Sequence, residues 1–269
     1  MRIEVWSDLF SAETRQAKER LHAALAARED RARASDGEHR RIEVVWRPHP
    51  ADDTDAQRLV HLAHTDGGPA LQEAVVDAVL TARHETGADI TDLAVLAGLA
   101  AEAGFGQGAA LLRTDAGRRG VEEQRQRGEA IGVRAVPTFT QADRVLESTD
   151  AEALAAFLDT DEERAVPEET QRLRHAEELM GRRDPVGALR LIEPLLRDHP
   201  GHPDVVQLAA RAYFKTAQLN KALVLAEAMV EVNPADFYAR RLLGRTLERL
   251  GRPDEARAHL RLVDEVTEE

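Results

Sequence analysis

The chain has 269 residues, a formal net charge of −13 and 43% hydrophobic residues. Such an acidic chain has little attraction for the phosphates of nucleic acid or for an anionic membrane surface, so neither partner is predicted. No apolar run reaches the roughly 18 residues that a membrane-spanning helix needs, and no charged-then-apolar leader opens the sequence. Cysteine is absent, which fits a reducing compartment. The sequence therefore predicts a cytoplasmic protein.

The first part of the chain, residues 1–160, is predicted to be an α/β domain. Polar and apolar residues alternate at 2–6, as in a half-buried strand, and 13–34 has helical spacing and ends at Ser35-Asp36-Gly37. A second strand at 42–47 is stopped by Pro48 and Pro50. The later predicted elements are helices at 54–65, 68–85, 91–103, 106–114 and 117–131, extended segments at 132–140 and 144–147, and a closing helix at 150–158. This order matches a thioredoxin fold with a helical insertion after its second strand.

An acidic stretch with one proline, residues 159–169, is predicted to be a linker. It separates the first domain from a second one at 168–269. In that second domain, Ala188, Ala222 and Ala256 are spaced by the tetratricopeptide period. Three other sets of positions keep the same step: Ala176, Ala210 and Gly244; Leu179, Tyr213 and Leu247; Pro200 and Pro234.

The period predicts an all-α tetratricopeptide solenoid of three helix pairs at 169–200, 203–234 and 237–267. Small residues allow the paired helices to approach closely, and the prolines end the second helices. No capping helix follows the third pair. Its outer face is therefore polar, or it meets the first domain or a second copy, and these alternatives, a homodimer among them, stay open.

Four stretches, one of them the second strand at Ile42–Pro48, resemble DsbA-like thioredoxin-fold proteins, most closely their FrnE-type branch. The chain opens with a strand and Trp6-Ser7-Asp8, as that family does, and then has Ser11-Ala12-Glu13-Thr14 where the family has Cys-Pro-Trp-Cys. Gly132–Phe139 resembles its Gly-Val-x-Gly-Val-Pro-Thr-Phe stretch, and Asp55–Ala63 resembles its Asp-Ala-His-Arg-Leu-x-His-Leu-Ala helix. The resemblance covers about residues 1–158.

The resemblance implies that the Val136-Pro137 bond is cis, that it lies close to Ser11, and that its backbone edge binds extended peptides. Ser11, Val136 and Pro137 are therefore the candidate peptide-binding residues. Both thiols are missing, and the stretch between Pro48 and Asp55 is shorter than in the family, which removes part of the helical lid. Thiol–disulfide oxidoreductase activity is not expected, because that exchange needs a thiolate and a partner sulfur, and no catalytic residue is predicted.

Ser11 leaves two interpretations open. It can be a plain N-cap, with Ser-x-x-Thr completing a polar turn, and Asp8 beside it would then cap or hydrogen-bond to Ser11. Alternatively, Ser11 can bind a thiol cofactor at the helix N-terminus, as in the related kappa-class isomerases, although Glu13 would repel an anion there. The alternative function is thus a glutathione-like-dependent isomerase or transferase, or an accessory role in natural-product biosynthesis. His61 and His64 share a helix face but lack a third ligand, so no metal and no other cofactor is predicted.

The first helix of each repeat is expected to line a concave groove. Its candidate lining residues are Arg174, Arg211, Phe214, Lys215, Tyr238, Arg241, Arg245 and Arg249. These residues make the groove basic within an acidic chain, and Arg pairs well with carboxylates. One interpretation is a groove for an acidic peptide segment, and the other is a solvated face that acidic neighbours neutralise. The leading hypothesis is a redox-inactive adaptor or chaperone-like protein that binds a protein or peptide.

Overall fold

The computed structural model describes residues 2–34, 42–49, 54–141, 144–159 and 167–267, with side chains up to 262. The chain divides into two compact units, Met1–Val166 and Pro167–Glu269. Three sequence predictions fall outside the described residues: the helix end at Ser35–Gly37, the strand stop at Pro50, and residues 160–166 of the linker.

A four-stranded sheet forms the centre of the first unit. Its strands are β1 (Arg2–Ser7), β2 (Glu43–Pro48), β3 (Thr138–Gln141) and β4 (Arg144–Leu146), in the order β2-β1-β3-β4. The β1 and β2 strands are parallel, whereas β3 is antiparallel to both β1 and β4. Of the extended segment predicted at 132–140, only the part from Thr138 is a β-strand. Gly132 caps the preceding helix with a φ of 92°, and residues 135–137 form a bend before the strand.

Helices surround this sheet. They are α1 (Ala12–Ala34), α2 (Asp55–Thr81), α3 (Leu93–Glu102), α4 (Gly108–Leu112), α5 (Arg118–Ile131) and α6 (Ala151–Asp159), with a π-helical turn at Ala82–Thr86. The two helices predicted at 54–65 and 68–85 meet within α2, which consists of two helical segments joined at a kink, because Gly68 has a non-helical φ of 70° and ψ of −163° and Pro69 follows it. The predicted insertion between the second and third strands is confirmed as α2 to α5.

The two faces of β1 bury different chemistry. Ile3 and Val5 join an apolar core that also holds residues of α1, α2 and α6, whereas Glu4 and Trp6 are buried on the other face. The outer edge of β2 is covered by a side chain of α2. Gln72 Oε1 accepts from the Trp46 backbone N–H at 3.0 Å, and Gln72 Nε2 donates to the Trp46 carbonyl at 2.9 Å. Gln72 thus replaces a strand partner and blocks pairing at that point of the edge.

The second unit consists of three successive helix pairs, which confirms the predicted tetratricopeptide solenoid. Its helices are α7 (Glu168–Gly181), α8 (Pro185–Asp198), α9 (Pro203–Lys215), α10 (Leu219–Val232), α11 (Phe237–Arg249) and α12 (Pro253–Thr267). The periodic residues Ala188, Ala222 and Ala256 are fully buried. At Gly244, a Cβ atom would lie 2.6 Å from Leu260 Cγ, so the close approach of α11 and α12 needs glycine there. None of the helices within the described ranges is long and apolar enough to cross a membrane.

Candidate functional site

Ser11 is the N-cap of α1. Its Oγ accepts from the Glu13 backbone N–H at 3.1 Å, and its own N–H donates to the Asp8 carbonyl at 3.1 Å. The Asp8 carboxylate accepts from the Phe10 N–H at 2.8 Å. The turn that would carry the two thiols is therefore held by its own local hydrogen bonds.

Thr14 does not complete this polar turn, so that part of the N-cap prediction was wrong. One helical turn after Ser11, its side chain is fully buried beneath the helix, and its Oγ1 has no hydrogen-bond partner among the described atoms. Ala12 and Glu13 between them are exposed. Of the two hydroxyl groups, only that of Ser11 belongs to a partly exposed residue, and its oxygen already accepts a hydrogen bond.

The Val136-Pro137 peptide bond is cis. Strands β1 and β3 pair with Trp6 opposite Thr138, and one further step of that register brings Pro137 opposite Ser7. Because the Ser11 turn follows directly after Ser7, it and Pro137 lie at the same end of the sheet. Pro137 is buried and Val136 is half-buried, so little of the proline faces solvent.

Side chains near the Ser11 turn are engaged with each other. Arg15 Nη2 donates to Glu85 at 2.7 Å, and the Arg83 guanidinium lies 5.6 Å from the centre of the Phe10 ring. His84 Nε2 lies 3.3 Å from the Leu9 carbonyl oxygen. Arg15 is therefore not a free cation that could bind an anionic cofactor beside Ser11.

A buried ion cluster lies on the polar face of β1, and the sequence reasoning missed it. The Glu4 carboxylate accepts from Arg47 Nε at 2.9 Å and Arg47 Nη2 at 2.6 Å, and Arg127 Nη2 approaches to 3.4 Å. Burial by itself raises the pKa of Glu4, but the attraction of Arg47 and Arg127 outweighs burial and lowers the pKa to about 2. Burial together with Arg47 lowers the pKa of the adjacent His61 to about 4. In the sequence, the cluster was indicated only by the position of Glu4, a carboxylate within the alternating strand at residues 2–6.

A half-buried carboxylate, that of Glu73, lies beside a cavity of 570 Å³ at the start of β2. It accepts from Lys18 Nζ at 2.6 Å and from Trp46 Nε1 at 2.6 Å, and His22 Nε2 lies 2.9 Å away. Burial raises the pKa of Glu73, but the hydrogen bonds from His22, Lys18 and Trp46 lower it to about 2. Lys18 also contacts Asp77 at 2.7 Å, so the charges in this cluster are paired.

Most of the predicted groove residues surround one cavity of the second unit. This cavity has a volume of 310 Å³ and lies between α9 and α11, and we call it the aromatic pocket. It is lined by Arg211, Phe214, Lys215, Tyr238, Arg241, Leu242 and Arg245. Burial raises the pKa of Tyr238, although Arg211 opposes this shift.

A neighbouring cavity of 560 Å³, here called the turn pocket, lies between the α7–α8 turn and α9. It is lined by Met180, Arg183, Pro185, Arg211 and Lys215. The repeat positions used for the sequence prediction missed the first three of these residues, because they lie at the end of α7, in the turn and at the start of α8. Arg183 adopts a φ of 66° there, which no sequence pattern indicated.

The cations of the two pockets differ in their pairing. Arg211, Lys215 and Arg241 form no ion pair with another described residue, whereas Arg245 Nη1 lies 2.8 Å from Glu248 Oε2. Two predicted residues line neither pocket. Arg174 is exposed on α7, and Arg249 stacks on the Phe214 ring at 4.6 Å and donates to the Phe214 carbonyl at 2.7 Å. Arg249 therefore supports the ring instead of facing the pocket.

Two family models match the chain. Residues 37–160 match the model of the DSBA-like thioredoxin domain, and residues 179–230 match a tetratricopeptide repeat model. The comparison with curated proteins returned no match. The two family matches confirm the resemblance on which the sequence interpretation depended, and together they are compatible with a protein-binding module.

Proposed function

Because the chain joins a DSBA-like thioredoxin domain without cysteine to tetratricopeptide repeats, we propose that it is a redox-inactive adaptor that binds an acidic segment of a partner protein in the groove of its repeats. Tetratricopeptide repeats commonly bind proteins, which supports a protein as the partner. The acidic character of the segment is our inference from the charges of the groove.

One observation carries the proposal: Arg211, Lys215 and Arg241 face the pockets without an ion pair among the described residues. In a chain of net charge −13, these unpaired cations border the exposed Tyr238 and the half-buried Phe214. Carboxylates of a ligand would form charge-assisted hydrogen bonds with the guanidinium groups. Tyr238 and Phe214 would add apolar contact of the kind found at binding hot spots.

The thioredoxin unit supports an adaptor rather than an enzyme in this proposal. Without cysteine it cannot carry out thiol–disulfide exchange. Its Ser11 oxygen caps α1, and its cis proline is buried. We assign the unit a scaffold role, with the half-buried Val136 edge as a secondary contact.

The proposal is tested by fluorescence anisotropy with labelled peptides rich in Glu and Asp, each compared with a Gln/Asn peptide of the same length. We expect the acidic peptides alone to bind the full chain. The Arg211→Gln/Lys215→Gln double variant should weaken this binding by about 100-fold, because each lost charge-assisted hydrogen bond is worth about tenfold. Arg257→Gln/Arg261→Gln, at exposed positions of α12, removes the same charge and should leave binding unchanged. Equal binding of acidic and neutral peptides would refute the proposal.

A further inference from the structure

Helix α9 contributes to both pockets of the groove. Arg211 and Lys215, which lie four residues apart and hence on one face of α9, line the aromatic pocket and the turn pocket alike. The two unpaired cations therefore form a wall that the two pockets share, with one pocket on each side of it. A ligand whose carboxylate contacts Arg211 or Lys215 can therefore reach both pockets.

Each pocket also has apolar lining residues in addition to these two cations. Phe214, Tyr238 and Leu242 line the aromatic pocket, and Met180 and Pro185 line the turn pocket. Volumes of 310 Å³ and 560 Å³ fall in the range of cavities that hold small ligands. Each pocket thus has room for one large apolar side chain.

Helix spacing sets the distance between these two side chains. The aromatic pocket lies on the α11 side of α9 and the turn pocket on the α7 side. Because neighbouring packed helices are about 8–10 Å apart, the pockets are separated by about that distance. A peptide in the extended polyproline II conformation advances about 3.1 Å per residue and has three residues per turn, so residues i and i+3 lie about 9 Å apart on one face and can reach both pockets.

Building on the proposed function, we propose that the groove recognises a short linear motif in which two apolar residues, three positions apart, flank one or two acidic residues. The acidic side chains contact Arg211 and Lys215, and the apolar side chains fill the aromatic pocket and the turn pocket. The partner is thus a protein with an extended segment of this pattern. A segment that is merely acidic lacks half of the contacts.

The experiment uses peptides with blocked ends that contain Leu-Glu-Asp-Phe or Phe-Glu-Asp-Leu between polar flanks, with binding measured to the full chain. Whichever of these two peptides binds more tightly is the parent peptide. We expect its affinity to be at least about tenfold higher than that of its Leu→Ala and Phe→Ala versions, because burying one large apolar side chain raises the affinity by more than tenfold. A peptide with only one residue between the two apolar residues should bind about tenfold more weakly as well.

Variants of the protein assign the pockets. Tyr238→Ala should weaken binding of the parent peptide by about tenfold. It should not change binding of the Ala-substituted peptide that has lost the side chain entering the aromatic pocket. Met180→Ala should give the corresponding pair of results for the turn pocket. Val224→Ala, at an exposed position on α10, is the matched control.

The outcomes separate this inference from the proposed function. If every acidic peptide binds equally well with or without apolar residues or with altered spacing, the motif is refuted while the acidic groove stands. If no peptide binds, including the acidic ones, the proposed function fails and the motif fails with it. If the affinity depends only on the apolar residues and is unchanged when Glu-Asp is replaced by Gln-Asn, the acidic groove and the acidic positions of the motif are both wrong.

Discussion

The two units use the same kinds of charged residue in opposite ways. In the thioredoxin unit, buried Glu4 is paired with Arg47 and Arg127, and Glu73 is paired with Lys18. In the groove of the repeats, cations such as Arg211 face open cavities and have no carboxylate partner among the described side chains. A buried charge is costly unless it is paired, whereas a charge on a groove wall stays hydrated until a ligand arrives. The contrast indicates which charges maintain the fold and which are available for binding.

The largest expected effect comes from breaking a buried pair. Glu4→Gln leaves Arg47 buried without its counter-ion, and we expect the free energy of unfolding of the first unit to fall by about 3–5 kcal/mol. Trp6 and Trp46 both lie in this unit, so tryptophan fluorescence during denaturation with urea follows it selectively. Glu13→Gln, at an exposed position of α1, is the control. A loss below about 1 kcal/mol would show that Glu4 does not stabilise the fold.

The pH dependence of stability tests the same pair. The pKa of Glu4 in the folded chain is about 2, below its ordinary value of 4.5, so the ionised form favours the folded state. The stabilisation is complete above 4.5 and should be lost as the pH falls from 4.5 towards 2. The denaturation midpoint of Glu4→Gln should vary less than that of the parent across this window. Parallel curves would contradict the assignment.

A somewhat smaller effect is expected at the edge of β2. Gln72→Leu leaves both the N–H and the carbonyl of Trp46 without a partner, which should lower the free energy of unfolding by about 2–4 kcal/mol. Gln16→Leu changes an exposed position of α1 in the same way and is the control. If the two variants unfold at the same urea concentration, the edge does not depend on the Gln72 side chain.

Two buried threonines provide a finer comparison within the first unit. Thr140 Oγ1 accepts from Trp6 Nε1 at 2.9 Å, so Thr140→Val should cost about 1–3 kcal/mol. Thr14→Val removes a hydroxyl that has no partner within the described structure, so it should be neutral or slightly stabilising, within about 0.5 kcal/mol. Equal losses in the two variants would mean that Thr14 has a partner after all.

The smallest effect is expected in the groove. Arg211→Gln removes a cation that forms no ion pair among the described residues, so thermal denaturation followed by circular dichroism should show a change within about 0.5 kcal/mol. Relief of repulsion from Lys215 favours a small gain. A loss above about 1.5 kcal/mol would place Arg211 with the structural charges and not with the binding ones.

Much of this architecture could be predicted because it depends on local patterns. The 34-residue step of Ala188, Ala222 and Ala256 fixed the helix pairs, since small residues must recur wherever helices approach closely. The resemblance of the first domain indicated its fold even though both thiols are gone. Strand ends were less accurate, since β3 begins only at Thr138 after a bend at residues 135–137. The break between the two helices predicted at 54–65 and 68–85 does lie at Gly68.

The site was predictable only where repeat position determines which way a residue faces. Arg211, Phe214 and Tyr238 fall on first helices and meet in one pocket. Arg249 departs because it stacks on Phe214, a pairing between neighbouring helices that spacing does not encode. The pairing of Glu4 with Arg127 joins residues 123 positions apart, so no local pattern could indicate it.

The three lysines allow the most direct test of the central contrast. Lys18 is buried between two carboxylates, Lys215 faces both pockets, and exposed Lys221 lies 4.8 Å from the Tyr213 ring, outside the residues that line the pockets. Amine acetylation, followed by mass spectrometry with and without the acidic Leu-Glu-Asp-Phe and Phe-Glu-Asp-Leu peptides, measures each one separately. We expect Lys18 to stay unmodified, Lys221 to react equally in both samples, and Lys215 to react freely until a peptide protects it. Rapid acetylation of Lys18, or no protection of Lys215 by a peptide that binds, would contradict the account.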